Sequence, residues 1–388
     1  MKVALVHDHI QEFGGAERVL VSLKKIFPEA DVFTSFYSPE SLGIHAAEFK
    51  DWHIITSWAE KVPLLKKLYS PFRFLMPYIW ESFNFNAYNL VISSSGWFMC
   101  KGIITRPETM HICYIHHPPR SFYYYETAIE WQKHLIFKIY GNLINHGLRM
   151  WDYLSSQRPD FFIANSQETQ KRVGKFYRRE SQVIYPPVHI PESSPSLSPI
   201  HNDEPYYIIT SRLARAKHVE ILIEAANIKK FKLKIVGTGR DQKFLKSIAG
   251  PTVEFLGHLP DNKLQDLYTG AKAFLFASVD EEFGIAVVEA LGYGLPAIAF
   301  YSGGVPEIIE GNNCGYLFTE LTANSLIEKI NELESLSDEE YLKMKQDCRQ
   351  VSEKFSEEQF KKQILEFVDS KMKKSKFQDS SLCQNYQK

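Results

Sequence analysis

The chain has 388 residues and a net charge of −1 at pH 7, with 45 Lys and Arg against 46 Asp and Glu. This balance argues against nucleic acid as a partner, and the length allows two domains. Five scattered cysteines without a C-x-x-C pair indicate the reduced thiols of a cytoplasmic protein rather than a disulfide framework or a zinc site. No apolar stretch approaches the roughly 20 residues of a membrane-spanning helix, and the first apolar run, Val3–Val6, is too short for a signal peptide.

Short apolar runs alternate with helical patterns in the first half of the chain. The predicted strands there are Val3–Val6, Ala30–Thr34, Leu90–Ser93, His111–Ile115 and Phe161–Ala164. Apolar residues at helical spacing predict a first helix from Gly15 to Phe27. Strand–helix–strand alternation is typical of a parallel, doubly wound sheet, so we expect a Rossmann-like α/β domain over residues 1–190.

The first predicted strand leads into a turn that contains Gly14 and Gly15. Paired glycines let the backbone come close to a ligand, and the free N–H groups at the start of the next helix suit a phosphate. A plain glycine turn is the ordinary alternative. A dinucleotide fingerprint requires G-x-G-x-x-G, which neither this turn nor the later Gly237-Thr238-Gly239 provides, so a dehydrogenase is disfavoured.

Residues 58–83 mix four basic side chains with many apolar and aromatic ones. A basic, aromatic, amphipathic segment can lie at a membrane interface, which makes it our candidate for peripheral membrane contact. Three prolines, Pro63, Pro71 and Pro77, divide the segment into short pieces. Short helices that pack on the core, with lysines that reach solvent, are the alternative.

Two histidines, His116 and His117, follow the strand predicted at His111–Ile115 and precede a proline loop. His116 is either an ordinary strand-end residue or a hydrogen-bond donor in a cleft. The aromatic run Tyr123-Tyr124-Tyr125 comes next, followed by Trp131. These rings either stack on an acceptor sugar or belong to the core or the surface.

A run of Pro, Ser and polar residues near 188–204 predicts the linker between two domains. A second alternation of strands and helices follows over residues 204–355, and its first strand is Tyr206–Thr210. The loop after this strand carries Arg212 and Lys217. Cations at the mouth of a strand-to-helix turn can hold a diphosphate, although solvated surface charge is the commoner role of such residues.

An apolar helix with a single ionisable residue lies further along the second domain. It is predicted from Ile285 to Tyr293, it is opened by Gly284, and the ionisable residue is Glu289. Glu289 either faces solvent or, together with Glu281 in the preceding loop, accepts hydrogen bonds from the hydroxyls of a sugar or ribose. The flanking strands are predicted at Ala273–Phe276 and Ala297–Phe300.

Glu281-Glu282-Phe283-Gly284, the following Glu289 and the later Gly303-Gly304-Val305-Pro306-Glu307 resemble the E-x7-E signature of retaining glycosyltransferases with the GT-B fold. Within that class the sequence is similar to the large family 4, the glycosyl transferases of group 1. The resemblance covers residues 1–371. It implies two Rossmann-like domains that face a central cleft, with a helix at 356–371 returning to the N-terminal domain. The tail at 372–388 is rich in Lys, Ser and Gln and is predicted to be disordered.

The resemblance also implies roles for individual residues, and it places the donor in the cleft. The implied catalytic residues are His116, Glu281, Arg212 and Lys217. The implied donor-binding residues are Gly14, Gly15, Arg212, Lys217, Gly237, Leu259, Glu281, Phe283, Gly284, Ile285 and Glu289. The family pattern G-R-x4-K-G is altered here, since Ser211 replaces the first glycine and His218 follows the lysine.

The segments VHDHI, FGGAERVL, CYIHHPP and FIANS resemble a subgroup of bacterial surface-polysaccharide mannosyltransferases. This resemblance implies transfer of a sugar from a nucleotide-diphosphate donor, with GDP-mannose favoured, to a growing, lipid-linked glycan at the inner face of the cytoplasmic membrane. No carboxylate is an obvious covalent nucleophile, and the resemblance implies a front-face route that retains the anomeric configuration. No Asp-x-Asp clamp is evident, and we expect no required metal or other cofactor. A GT-B epimerase or phosphorylase, a non-catalytic sugar-binding module and a dehydrogenase remain alternatives.

Overall fold

The computed structural model describes residues 1–127, 135–191 and 205–385. The strands of the first domain are β1 (Val3–His7), β2 (Asp31–Thr34), β3 (Ile54–Thr56), β4 (Leu90–Ser95), β5 (Met110–Ile115), β6 (Phe161–Ala164) and β7 (Ser181–Val183). Its helices are α1 (Gly15–Ile26), α2 (Pro63–Lys67), α3 (Met76–Trp80), α4 (Leu135–Ser155) and α5 (Gln167–Tyr177). The strands form one parallel sheet in the order β3-β2-β1-β4-β5-β6-β7.

The second domain repeats this plan with a smaller sheet. Its strands are β8 (Tyr206–Thr210), β9 (Lys232–Val236), β10 (Val253–Gly257), β11 (Ala273–Phe276), β12 (Ala297–Phe300) and β13 (Gly315–Phe318). Its helices are α6 (Val219–Lys229), α7 (Gln242–Ile248), α8 (Asp261–Gly270), α9 (Ile285–Gly292), α10 (Pro306–Ile309), α11 (Ala323–Glu334) and α12 (Asp338–Glu353). The strand order is β10-β9-β8-β11-β12-β13, again parallel. The predicted GT-B architecture of two doubly wound domains is confirmed.

The last helix, α13 (Glu357–Asn385), returns to the first domain as expected. Phe360 contacts Tyr114 of β5, with ring centroids 5.8 Å apart, and it shares a buried apolar cluster with α1. The helix runs beyond residue 371 into most of the tail that the sequence predicted to be disordered. Lys, Met and Gln favour helix over coil where no glycine or proline intervenes. Residues 386–388 of that tail lie outside the described part of the chain.

Each sheet has one point at which the direction of strand addition reverses. In the first sheet this point lies between β1 and β4, and in the second it lies between β8 and β11. Loops that leave the carboxyl ends of such neighbouring strands diverge and open a crevice, which is where doubly wound sheets bind ligands. The loops that carry Gly14, Arg212 and Glu281 all start at these two points.

The predicted strands and the helices predicted at 15–27 and 285–293 are present, with ends that differ by at most two residues. The helix predicted at 356–371 begins one residue later and continues to Asn385. Three short strands, β3, β7 and β13, were not predicted. β3 and β7 form the outer edges of the first sheet, and three-residue edge strands carry too little periodicity to be recognised. Most of the predicted linker, residues 192–204, lies outside the described residues.

The segment 58–83 forms short helical pieces that pack on the core with one side and leave the other side exposed. The buried side includes Met76, Ile79 and Trp80, and the exposed side includes Leu64 and Tyr78. The alternative of short helices that pack on the core therefore holds, and membrane contact stays a prediction. The exposed side continues onto α4, because the Tyr140 hydroxyl of that helix donates to the carbonyl oxygen of Pro71.

Candidate functional site

An ion pair between Lys217 and Glu281 lies where the loops after β8 and β11 meet. Lys217 Nζ is 2.5 Å from Glu281 Oε2, and less than a quarter of either side chain is exposed. The Ser278 hydroxyl donates to the same carboxylate oxygen over 2.8 Å. The sequence predicted that Lys217 binds the phosphates of the donor and that Glu281 binds its sugar. The structure places these two side chains in direct contact.

The surroundings keep Glu281 ionised. Burial acts to raise the pKa of Glu281, but the cations Lys217 and Arg120 outweigh it, so the pKa lies below its usual value. The carboxylate is therefore a hydrogen-bond acceptor at neutral pH. Such a group suits the hydroxyls of a sugar better than proton donation to a leaving group.

Two glycines hold the backbone of the acidic loop in place. A Cβ on Gly303 would lie 2.0 Å from the carbonyl oxygen of Glu281, and Gly303 has a φ of +63°. The N–H of Gly304 donates to that same oxygen over 2.8 Å. The Gly-Gly part of the predicted signature thus shapes the Glu281 loop from behind.

Arg212 extends across the cleft to the first domain. Its Nη2 lies 3.2 Å from Glu12 Oε2 in the loop after β1, and both side chains are more than half exposed. The neighbouring loop supports Arg212, since a Cβ on Gly237 would lie 2.0 Å from the carbonyl oxygen of Ser211. In this structure Gly237 therefore allows two loops of the second domain to pack closely.

Glu289 also meets a cation from the first domain. Arg18 Nη1 of α1 lies 3.0 Å from Glu289 Oε1 of α9. The two helix starts approach closely here, because a Cβ on Gly15 would lie 2.7 Å from Cδ1 of Ile285. The predicted turn Gly14-Gly15 and the predicted residues Ile285 and Glu289 thus lie on opposite walls of one cleft. Sequence reasoning did not single out Arg18, although it lies within the quoted FGGAERVL segment.

The turn at Gly14 is held by Glu17. The N–H of Gly14 donates to Glu17 Oε2 over 2.8 Å at the start of α1, which is the half of a capping box that a glycine N-cap can form. Glu17 is almost fully buried, and burial acts to raise the pKa of its carboxyl. Hydrogen bonds, first the one from His7 and then one from the backbone, outweigh burial, so the pKa of Glu17 lies below its ordinary value.

His116 lies at the end of β5 and is mostly enclosed. Its Nε2 is 2.8 Å from the Ser94 hydroxyl of β4. Burial lowers the pKa of His116 to about 3, so the imidazole is neutral at physiological pH. The sequence predicted a cleft residue, and the structure adds that a buried hydrogen bond to β4 holds one ring nitrogen.

Three predicted donor-site residues contribute mainly through backbone or packing in this structure. Phe283 is 2% exposed, with its ring against Tyr185 and Phe355, so its side chain does not line the cleft. Gly284 has a φ of +104° and precedes α9. Leu259 is partly buried against the core of the second domain.

The aromatic run in the first domain is mostly engaged within that domain. Tyr123 stacks on Phe176 with centroids 3.9 Å apart, and the guanidinium of Arg172 lies 4.1 Å from the centroid of Tyr125. Tyr124 is 88% exposed. Of these three rings, Tyr124 alone is open to stacking with a ligand, and Trp131 lies outside the described residues.

Two contacts between the domains were missed by sequence reasoning. Arg120 Nε lies 2.6 Å from Glu282 Oε1. Glu307, the last residue of the quoted G-G-x-P-E motif, accepts hydrogen bonds from the N–H groups of Gln167 and Glu168 at the start of α5. A carboxylate at a helix N-terminus is a favourable contact. Each contact joins residues more than 130 positions apart, so no local pattern could have revealed it.

Two family models match the chain, one for each domain. The model for glycosyltransferase family 4 matches residues 13–191, and the model for glycosyl transferases group 1 matches residues 193–377. The chain belongs to the group 1 glycosyl transferases. This membership agrees with the E-x7-E signature and with the two facing switch points.

Curated relatives of this glycosyl transferase share limited stretches with it. It is 25% identical over 253 residues to the GtfA subunit of the UDP-N-acetylglucosamine–peptide N-acetylglucosaminyltransferase of Streptococcus pneumoniae, covering 61% of this chain and 47% of that one. It is 36% identical over 114 residues to a GDP-mannose-dependent alpha-mannosyltransferase of Mycobacterium tuberculosis, covering 29% and 30% of the two chains. The chain spans less than half the length of the curated relatives that it matches.

Solved structures share the fold along nearly the whole chain. The lipopolysaccharide outer core galactosyltransferase WaaB superposes with a TM-score of 0.64 at 18% identity, covering 96% of this chain and all of that one. HepE of Anabaena in complex with UDP gives 0.69 at 20% identity, covering 95% and 100%. Sucrose-phosphate synthase of Thermosynechococcus elongatus gives 0.70 at 16% identity, covering 96% and 99%. These similarities show the GT-B fold.

Within the described ranges, no helix is long and apolar enough to cross a membrane.

Proposed function

We propose that this glycosyl transferase moves a sugar from a nucleotide-diphosphate donor to a hydroxyl of an acceptor glycan. The observation that carries the proposal is the convergence of Lys217, Glu281, Arg212 and Glu289 on the cleft, opposite the Gly14-Gly15 turn. Cations, sugar-binding carboxylates and a glycine turn at a helix start are the groups that a nucleotide-sugar requires. They lie at the two switch points, where doubly wound sheets bind ligands.

In this proposal Arg212 and Lys217 bind the diphosphate of the donor. Arg212 is largely exposed and offers a planar fork of donors to phosphate oxygens. Lys217 donates one N–H to Glu281 and has two other N–H groups that can bind the ligand. Both cations balance the charge that grows on the phosphate as the glycosidic bond breaks, which makes their effect largest in the transition state.

The two carboxylates of the signature have separate tasks. Glu281, ionised and beside Lys217, accepts hydrogen bonds from hydroxyls of the transferred sugar. Glu289 accepts from the ribose hydroxyls, and Arg18 orients its carboxylate. His116 contacts the donor sugar from the first domain, and the Gly14-Gly15 turn faces the phosphates.

The transfer retains the configuration at the anomeric carbon by a front-face route. The bond between the anomeric carbon and the phosphate oxygen breaks, and its electron pair remains on that oxygen. The acceptor hydroxyl bonds to the anomeric carbon on the same face and gives its proton to the departing phosphate. No metal ion takes part, and activity is expected to persist in excess chelator.

GDP-mannose is the favoured donor, and a growing glycan on a lipid carrier is the favoured acceptor. The similarity to a GDP-mannose-dependent mannosyltransferase and the sequence motifs of the surface-polysaccharide subgroup support this choice. The S. pneumoniae relative is named for UDP-N-acetylglucosamine, so the UDP-sugar is the donor to compare. A donor screen therefore decides between guanine and uracil nucleotides.

An exposed apolar face of the first domain is the docking surface that we propose for a membrane-bound acceptor. It consists of Leu135, Ile139, Leu143, Met150 and Leu154 of α4 and of Leu64, Leu68 and Tyr78 of the 58–83 segment. The α4 residues recur at spacings of four and seven, so they share one side of the helix. Asp152, the one acidic residue of α4, is buried against Lys101. A helix face without exposed acids suits an anionic bilayer surface.

The donor screen uses purified protein with GDP-mannose, UDP-N-acetylglucosamine, UDP-glucose and ADP-glucose, and measures nucleotide release with and without an added glycan acceptor. Release from GDP-mannose is expected to be fastest. Lys217→Ala is expected to lower kcat by about 10²–10³-fold, as removal of a group that stabilises transition-state charge does. Arg215→Ala is the matched control, since Arg215 lies two positions away and pairs with Glu126 instead.

The same assay separates the alternative functions. An epimerase would convert the donor without acceptor, and the sugar product would show it. A phosphorylase would release the sugar as its phosphate when inorganic phosphate is added. A non-catalytic binding module would bind donor without turnover, and a dehydrogenase would bind NAD in a fluorescence titration. Each of these outcomes would contradict the proposed transfer.

Membrane contact is tested by sedimentation with vesicles of phosphatidylglycerol and of phosphatidylcholine. The protein is expected to sediment with the anionic vesicles, and Ile139→Glu with Leu143→Glu is expected to stay in the supernatant. Ile228→Glu is the control, because Ile228 is equally exposed but lies on α6 of the second domain. Sedimentation that is unaffected by the α4 substitutions would contradict this docking surface.

A further inference from the structure

Four buried polar side chains form a continuous chain of contacts beneath the first-domain wall of the cleft. Glu17 Oε1 lies 3.4 Å from His7 Nε2, and His7 Nδ1 lies 3.0 Å from the Ser94 hydroxyl. That hydroxyl also lies 2.8 Å from His116 Nε2. All four residues are more than nine-tenths buried, so the neighbours in the chain, rather than solvent, decide where each proton sits.

We propose that Glu17, His7 and Ser94 are positioning residues that fix which nitrogen of His116 carries its proton. We call these three side chains together with His116 the relay. The existence of the relay is independent of the reaction, whereas its consequence for catalysis rests on the proposed function.

The positions of the protons along the relay follow from Glu17, the one member that can only accept hydrogen bonds. An ionised carboxylate has no hydrogen to give, so Glu17 requires the proton of His7 on Nε2. A neutral imidazole carries one N–H, which leaves His7 Nδ1 to accept from the Ser94 hydroxyl. The hydroxyl has then used its single hydrogen, so it accepts from Nε2–H of His116.

Groups other than His7 also stabilise the carboxylate of Glu17. The carboxylate already accepts the N–H of Gly14 over 2.8 Å. It also lies in the first turn of α1, where the helix dipole favours a negative charge. The titratable groups around His116 are His7, Asp8, Glu17 and His117, and Asp8 accepts hydrogen bonds from the N–H groups of Gly96, Phe98 and Cys100.

The relay leaves His116 with a lone pair on Nδ1, which makes no hydrogen bond within the described residues. His116 therefore accepts a hydrogen bond from a hydroxyl of the donor sugar, where the sequence had suggested a donor. Glu17 holds both the Gly14 turn and, through the relay, His116. One carboxylate thus couples two elements of the proposed donor site.

Glu17→Gln reverses the relay with almost no change of shape. The amide oxygen keeps the N–H of Gly14, and the amide nitrogen donates to His7 Nε2. His7 must then carry its proton on Nδ1, the Ser94 hydroxyl turns towards His116, and His116 carries its proton on Nδ1. A side chain with a purely structural role would not produce this exchange of tautomers.

Two-bond 15N–1H correlation spectra of protein labelled at histidine read the tautomers directly, with His116→Gln used to assign the signals. The wild type is expected to show His116 protonated on Nε2, and Glu17→Gln is expected to show it protonated on Nδ1. Glu340→Gln is the control, because Glu340 accepts the N–H of its N-cap residue Ser337 at the start of α12 without a histidine. A wild-type His116 protonated on Nδ1, or no change in a folded Glu17→Gln protein, would overturn the relay.

Ser94 gives a second test that does not depend on the Glu17 variant. Ser94→Ala is expected to leave His116 as a mixture of both tautomers, and Ser94→Thr, which keeps the hydroxyl, is expected to restore the wild-type spectrum. An unchanged His116 in Ser94→Ala would also overturn the proposal. These spectra need no substrate, so they distinguish failure of the relay from failure of the proposed reaction.

Discussion

Arg120 of the first domain and Glu282 of the second form an ion pair in which Nε lies 2.6 Å from Oε1 and each side chain is less than one-fifth exposed. Arg120 also donates to the carbonyl oxygen of Asp280 over 2.8 Å. Burial acts to raise the pKa of Glu282, but Arg120 outweighs it, and the pKa lies well below its usual range. The pair therefore holds the acidic loop against the first domain.

Removal of Arg120 is expected to leave a buried carboxylate without its cation. We expect Arg120→Met to lower the free energy of unfolding by about 3–5 kcal/mol, as breaking a buried pair does. Arg120→Met with Glu282→Leu should recover part of this loss, because the uncompensated charge is removed as well. Urea unfolding followed by tryptophan fluorescence measures the difference.

An exposed ion pair between α1 and the returning helix α13 is the matched control for Arg120. Lys25 of α1 and Glu357 of α13 lie 3.1 Å apart, but they are 59% and 41% exposed. Lys25→Met is expected to cost less than about 1 kcal/mol, because solvent screens an exposed pair. Equal losses for Arg120→Met and Lys25→Met would show that burial does not strengthen the first pair.

Local patterns predicted the parts of the site that lie within one strand-loop-helix unit. The spacing of Glu281 and Glu289 and the two cations Arg212 and Lys217 were recognised because each motif is continuous in the sequence. Parallel alternation then placed their loops at carboxyl strand ends. The structure brings these loops to one cleft, as the fold predicted.

Contacts between residues that lie far apart in the chain could not be predicted from the sequence. Glu289 lies against Arg18, and Arg212 lies against Glu12, because the two domains meet in a particular orientation. The relay from Glu17 to His116 needs the register of β1 beside β4, which no single segment encodes. Phe283 was placed in the donor site by the motif, yet its ring packs between Tyr185 and Phe355.

The close contact at Gly303 predicts that one added methyl group displaces the loop that carries Glu281. Gly303→Ala would place Cβ 2.0 Å from the carbonyl oxygen of Glu281, so the acidic loop has to move. We expect both a loss of stability and a large fall in kcat. Thermal unfolding and the donor assay measure the two effects separately.

Gly311→Ala is the control that separates the two effects expected in Gly303→Ala, the steric clash of the added Cβ and the strain of a positive φ. Gly311 has a φ of +74°, similar to that of Gly303, but nothing lies within 4 Å of an added Cβ. Its replacement is expected to cost about 1–2 kcal/mol of strain with unchanged kcat. A fall in kcat of the same size for both variants would contradict a specific effect on Glu281.

Glu289 and Lys217 are expected to affect different kinetic constants. A ribose contact contributes equally to substrate and transition state, so Glu289→Gln should raise the KM for donor by about 10-fold or more with little change in kcat. Lys217→Ala should instead lower kcat. Initial rates over a range of donor concentrations give both constants, with Glu224→Gln, an exposed α6 substitution, as control. A kcat effect of Glu289→Gln equal to that of Lys217→Ala would contradict the separate roles.

Acid is expected to destabilise the protein through its buried histidines. His111 is fully buried, its Nε2 contacts the Ser93 hydroxyl over 2.8 Å, and burial lowers its pKa to about 3. In the unfolded chain a histidine takes up its proton as pH falls through about 6.5, whereas folded His111 does so near 3. Its contribution to stability is therefore complete above about pH 6.5 and is lost as pH falls towards 3, by up to about 1.4 kcal/mol per pH unit.

Replacement of His111 by a neutral amide tests this dependence. His111→Gln keeps a partner for Ser93 and removes the proton uptake of the unfolded state, so the free energy of unfolding should fall less steeply between pH 6.5 and pH 4.5. His116, whose pKa burial also lowers to about 3, accounts for part of the slope that remains. Urea unfolding across this pH range measures both slopes, and His258→Gln, at an exposed position, should match the wild type. A wild-type slope in His111→Gln would mean that His111 is protonated in the folded protein at these pH values.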